Sequence, residues 1–194
     1  VPVTSAEPDT LSVKSRSETL DHVMGGPASA AFVYRSTRRP PTAAASKAES
    51  MLLDALTKEL AAKGALTVLR EGFKCVGKSV KLAYFAPNTS IDTGAAERYA
   101  ANRFTVVRQV HTKTGAIPDM VLAVNGLPVA TLELKNAMST TGWTVENAKS
   151  QYRFERNPKD PLFAFKNRCL VHFAVDTEQA FMTTHLEGKD TFFL

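Results

Sequence analysis

Cysteine is scarce in this chain, with only Cys75 and Cys169 in 194 residues. Two thiols so far apart exclude a disulfide framework and a zinc ribbon, and reduced thiols are the expectation. His111, His172 and His185 lack the partner three or four positions away that a helical metal pair needs, and His172 lies inside an apolar run, which reads as a satisfied core histidine. Long hydrophobic runs are also missing. Nothing approaches the roughly 18 consecutive apolar residues of a membrane span, and no leader layout opens the chain. The expectation is a soluble, cytoplasmic protein with no membrane partner. Excess acid is absent too: 24 Lys and Arg against 19 Asp and Glu give a net charge of +5, which permits a polyanionic partner without demanding one. The length suits one domain with a sizeable core.

Residues 1–45 are rich in Ser, Thr, Ala and Pro and show no persistent period, so they read as disordered or loosely held. Arg35, Arg38 and Arg39 form a basic run there, best taken as solvated. A capping box at Ser46 and Glu49, followed by Leu52, Leu53, Leu56 and Leu60, predicts a helix over 46–62 that stops at Gly64. Val80, Leu82 and Tyr84 alternate as a strand ending at Pro87. A short helix over 93–103, a strand over 104–111 and a buried strand over 169–175 complete the pattern. Thr144 caps a further helix, with Val145, Ala148 and Tyr152 on one face, which ends before Pro158. The fold class is α/β, a mixed central sheet flanked by helices.

One motif invites a nucleotide. Gly72 to Ser79 satisfies G-x-x-x-x-G-K-[ST] letter for letter. A phosphate loop, however, must run straight into a helix whose N-terminus holds the phosphates, and the residues after Ser79 alternate as a strand does. A hairpin with a basic edge is the better reading of Lys74, Lys78 and Lys81, which could meet a DNA backbone.

The most informative stretch is Pro118 to Lys135. Asn125-Gly126 is a strong hairpin signal, and apolar runs flank it from Met120 to Val124 and from Leu127 to Leu132. Antiparallel pairing brings Asp119 back beside Glu133 and Lys135. Alternation then places Thr131, Glu133 and Lys135 on one face and Ala130, Leu132 and Leu134 on the other. Two carboxylates and an ammonium suit metal-assisted phosphodiester hydrolysis: hard oxygens hold Mg²⁺, and the lysine sits by the nucleophile or the developing charge. This is the PD-(D/E)xK pattern of a large nuclease superfamily. A solvated surface hairpin is the plain alternative.

From Gly64 onward the chain resembles the N-terminal part of the restriction (R) subunit of type I restriction-modification enzymes. The likeness is carried by residues 69–74 and 102–110, by 118–136, by Gln151-Tyr152-Arg153, by Pro161-Leu162-Phe163 and by 170–176. The resemblance implies a restriction-endonuclease-like core, with Asp119, Glu133 and the carbonyl of Leu134 as Mg²⁺ ligands and Lys135 as the catalytic lysine. It also implies a Gln-x-x-x-Tyr motif on the following helix. Gln151 fits its first position, but Glu155 stands where the tyrosine belongs, and the nearest tyrosine is Tyr152. Gln151 on that helix is a candidate catalytic residue that faces the hairpin end and reaches metal-bound water or DNA, with a solvent-facing glutamine as the plain alternative. Glu59 is a candidate for an additional acidic ligand, and Trp143 and Phe154 are expected to pack, with base stacking by Trp143 as an alternative.

The resulting expectation is a nuclease domain over 46–194 that serves Mg²⁺-dependent cleavage of double-stranded DNA within a larger bacterial or archaeal subunit and, as an isolated fragment, is inactive. Methyltransferase and specificity subunits are the expected partners, and ATP enters through motor domains beyond Leu194. The rival is a non-catalytic DNA-binding or assembly module with the same fold; a P-loop NTPase ranks below both.

Overall fold

A computed structural model describes residues 43–194 apart from 90, 113, 139 and 141. The basic run at Arg35, Arg38 and Arg39 lies outside the described residues. Helices are α1 (Ala43–Lys63), α2 (Ala65–Glu71), α3 (Thr93–Ala100) and α4 (Val145–Ser150); strands are β1 (Phe73–Cys75), β2 (Lys78–Val80), β3 (Phe104–Arg108), β4 (Met120–Val124), β5 (Leu127–Leu134), β6 (Val171–Val175) and β7 (Ala180–Thr183). A five-stranded sheet runs in the order β3-β4-β5-β6-β7, and β1-β2 forms a separate hairpin. Only β5 and β6 pair in parallel, so the sheet is mixed, and helices cover it as expected for α/β.

The hairpin forms where the sequence places it. Asn125 and Gly126 take φ of 49° and 86°, the positive pair that a tight two-residue turn between twisted strands requires. Met120 pairs with Leu132, which leaves Asp119 and Glu133 next along the ladder. A bulge interrupts the register: Leu122 pairs with Ala130 but Ala123 pairs with Pro128, so Val129 is the extra residue. Pro128 has no N–H for a regular central ladder and is accommodated at this irregularity.

The bulge has a consequence for burial. Leu127 and Thr131 are four residues apart and would share a face in a regular strand. Instead Leu127 joins the core built on Leu53, Leu56, Leu60 and Val68 of α1 and α2. Thr131 turns the other way, to the layer formed by Val121, Ala148, Tyr152, Phe163 and Ala174. The central strand is thus covered on both sides.

Several boundaries differ from the sequence reading. α1 starts three residues before Ser46, so Ser46 lies inside the helix rather than capping it. The strand expected through Tyr84 is only Lys78–Val80, because its partner β1 is equally short. α3 ends at Ala100, and its cap is Asp92, whose Oδ1 accepts from the N–H of Ala95 at 2.8 Å. β3 stops at Arg108, where Gln109 takes a φ of 49°. α2 and β7 have no counterpart in the sequence reading.

After Ser79 the chain continues as β2, and the next described helix starts at Thr93. The architecture a phosphate loop needs is therefore not formed here. Gly72 has a different duty. It ends α2 with φ of 80°, and a Cβ there would lie 2.2 Å from the carbonyl oxygen of Val80. Gly77, at φ 74° in the β1-β2 turn, has open space around it. Gly72→Ala should therefore destabilise the fold by clearly more than the roughly 1–2 kcal/mol of a left-handed alanine, while Gly77→Ala costs only about that. Paired urea titrations of the two variants check it.

Candidate functional site

Asp119 follows a buried proline at the entry to β4, and its carbonyl accepts from the N–H of Gln109, which ties it to the end of β3. Its Oδ2 accepts from the backbone N–H of Leu134 at 2.7 Å. The carboxylate of one hairpin limb is thereby anchored to the residue after Glu133 on the other.

Glu133 has no exposed surface. Its Oε1 accepts from Nε of Arg156 at 2.7 Å, and its Oε2 is buried without a hydrogen-bond partner. Burial raises its pKa above the ordinary carboxylate range; the Arg156 hydrogen bond and charge pull it down, the negative charge of Asp119 pushes it up, and Lys135 lowers it more weakly. These couplings place Asp119, Glu133 and Lys135 in one electrostatic neighbourhood. The Lys135 ammonium lies 5.2 Å from the ring centre of Trp143, and the N–H of Lys135 donates to the carbonyl of Val175, extending the parallel pairing past β5.

Behind the carboxylates stands the helix. Asp176, just past β6, accepts the first N–H of α4 at Val145, and three backbone N–H groups in all hold its carboxyl below the usual range. α4 continues without a break into a π-helical turn, Gln151–Glu155, closed by the N–H of Arg156 donating to the carbonyl of Gln151 at 3.1 Å. Tyr152 on this turn is fully buried; its hydroxyl lies 2.9 Å from Oγ1 of Thr131, which lies 2.7 Å from Nδ1 of His172. Burial, reinforced by the Glu133 charge, holds the Tyr152 hydroxyl protonated well above its ordinary range.

The structure therefore brings together Asp119, Glu133, Lys135 and the main chain of Leu134. Gln151 is half-buried, with its Oε1 buried and without a hydrogen-bond partner. On the same turn, Tyr152 is close enough to Glu133 to feel its charge, and Arg156 binds it directly. Sequence reasoning missed Arg156, because its reach depends on the π turn. Glu59 pairs with Lys63 on α1 at 2.7 Å, and no group of three His, Cys, Asp or Glu converges among the described residues. Phe154 does not pack: it is 71% exposed, and Trp143 is half exposed against Lys135. A groove of about 290 Å³ lined by Leu52, Phe73, Tyr84 and Arg98 opens at the Asn125 end of the hairpin, away from the carboxylates. Lys74, Lys78 and Lys81 are exposed. No helix among the described residues is long and apolar enough to cross a membrane.

A mixed five-stranded sheet with flanking helices defines an α/β domain, and two carboxylates and a lysine stand at the end of its central hairpin. The family model for the type I restriction enzyme R protein N terminus matches residues 35–191, most of the chain, and the protein belongs to that family. No curated protein and no solved structure matches it.

His172 gives a measurable handle on the packing behind the site. Burial pushes its pKa down to about 4. The native state therefore takes up the proton less readily than the unfolded chain, and the stability that neutral His172 supports is present above about pH 6.5 and lost as pH falls toward 4. The loss is on the order of 3 kcal/mol at most. Protonation of Glu133, whose pKa is raised, acts in the opposite sense. The check is the difference in acid-dependent stability between the parent and His172→Gln, which should show the flatter profile.

Proposed function

We propose that this domain is the DNA-cleaving module of a type I restriction R subunit and hydrolyses phosphodiesters of double-stranded DNA with Mg²⁺. The observation that carries the reading is the bond from the N–H of Leu134 to Asp119, which anchors one acidic side chain against the strand that presents the other. Family membership supports the same assignment.

The donor set fits a hard divalent cation. Glu133 offers a buried oxygen without a partner, Asp119 uses only one oxygen in the described hydrogen bonds, and main-chain carbonyl and water complete such sites, since Mg²⁺ retains several waters. Asp119, Glu133 and the carbonyl of Leu134 would hold the ion, which supplies Lewis-acid polarisation of a phosphoryl oxygen and a more acidic bound water. Lys135 holds its ammonium beside the carboxylates, where it orients the attacking water or offsets charge on the phosphoryl oxygens. Thr131, Tyr152 and His172 take no part in proton transfer on this reading; their network fixes β5 against the helix and β6. The DNA target is read by a specificity subunit, the methyltransferase subunit completes the assembly, and an ATP-driven motor elsewhere in the R subunit triggers cleavage.

A second reading, a non-catalytic assembly or DNA-binding module, has one observation in its favour: Arg156 already engages one oxygen of Glu133 in a charge-assisted hydrogen bond. Mn²⁺ titration separates the two. A nuclease site binds Mn²⁺ and loses it in Asp119→Asn or Glu133→Gln. Lys135→Ala should keep metal binding while DNA cleavage, measured with motor and partner subunits restored, falls on the order of 10²–10³-fold. Parental cleavage by Lys135→Ala would remove the lysine from the mechanism.

A further inference from the structure

Arg156 ties three segments that converge on the two carboxylates, two through its guanidinium and one through its backbone. Nε donates to Oε1 of Glu133 on β5 at 2.7 Å. Nη2 donates to the carbonyl of Ile117, two residues before Asp119, at 3.3 Å. Its own N–H closes the π-helical turn on Gln151. Arg156 is 8% exposed and Glu133 is not exposed at all, so this charge pair lies out of water.

From that geometry we infer that Arg156 is a positioning residue of the candidate centre, an internal counter-cation that holds Glu133 by Oε1 while leaving Oε2 open to a divalent ion. The inference rests on the nuclease reading for the identity of that ion. Its physical basis is charge balance. A fully buried carboxylate beside a second one is unfavourable unless a cation compensates it. Arginine suits the task because it stays ionised and its planar fork can serve a carboxylate and a carbonyl at once. A divalent ion on Oε2 satisfies the same need and is repelled by the guanidinium across the carboxylate. Arg156 thus supports the metal-free fold and weakens metal binding, and the two effects are linked.

The prediction therefore has two parts that a merely structural arginine would not produce together. In metal-free buffer, Arg156→Gln should lower Tm by more than about 10 °C, because it leaves the Glu133 charge uncompensated. Saturating Mn²⁺ should close at least half of that gap, and the Mn²⁺ Kd of the variant should be about tenfold tighter or better. Arg156→Lys, which keeps the charge, should return the Kd to within about threefold of the parent. Glu133→Gln/Arg156→Gln should recover most of the metal-free Tm lost in Arg156→Gln, since a neutral pair has no charge to compensate. That cycle reads the coupling even if Arg156→Gln folds only with metal.

A parent that binds Mn²⁺, with a Tm deficit in Arg156→Gln that is the same with and without the ion, would overturn this inference and leave the nuclease reading standing. A parent that binds no Mn²⁺ overturns both.

Discussion

A carboxylate kept entirely out of water sets the terms for everything near the end of the β4-β5 hairpin. Glu133 stands on the central strand, where neighbouring strands and the α4 layer cover it, and an ion in such a place must be compensated or neutralised. The compensation comes from Arg156, and Arg156 can reach it because α4 runs on into a π turn and is anchored at its other end by Asp176. The Thr131, Tyr152 and His172 network fixes the same helix two residues earlier on β5. Asp119 and Lys135 need less support: each is held by a main-chain hydrogen bond at a strand end, Asp119 through its side chain and Lys135 through its backbone.

What was legible in the sequence was what depends on near neighbours. The Asn125-Gly126 turn follows from two residues that accept positive φ, and once it forms, the pairing that brings Asp119 to Glu133 is geometry. Alternation in the last part of β5 was readable for the same reason, as was the long amphipathic α1. Legibility ended where a position depends on distant partners. Whether Val80 to Tyr84 continues as a strand is decided by the three-residue length of β1. The edge strand β7 pairs only because β6 is there to receive it. Phe154 carries the composition of a core residue but sits on the outer side of a turn that places Tyr152 inward.

The Gly72 to Ser79 segment shows how a motif can be complete in letters and absent in structure. Its first glycine is required because the chain passes against the carbonyl of Val80, and its lysine stands on an exposed strand. The hairpin motif is the converse case. Its letters are few, yet the fold gives each a defined place: one acid at the entry to β4, one under the helix, and a lysine where the parallel pairing with β6 runs out.

The half-present Gln-x-x-x-Tyr pattern belongs with the π turn. In an α-helix the residue stacked above Gln151 is four positions on, which here is Glu155; in the widened turn the closure comes five positions on, at Arg156. With that closure Arg156 stands where its guanidinium meets Glu133 on β5, and the carboxylate of Glu155 lies 3.9 Å from the same guanidinium. Removing a single residue between Gln151 and Arg156 would let the turn close as an ordinary α-turn and would keep the arginine at the closing position, now four residues on. The extra residue of the π turn thus sets the helical phase at which Arg156 leaves the helix for β5.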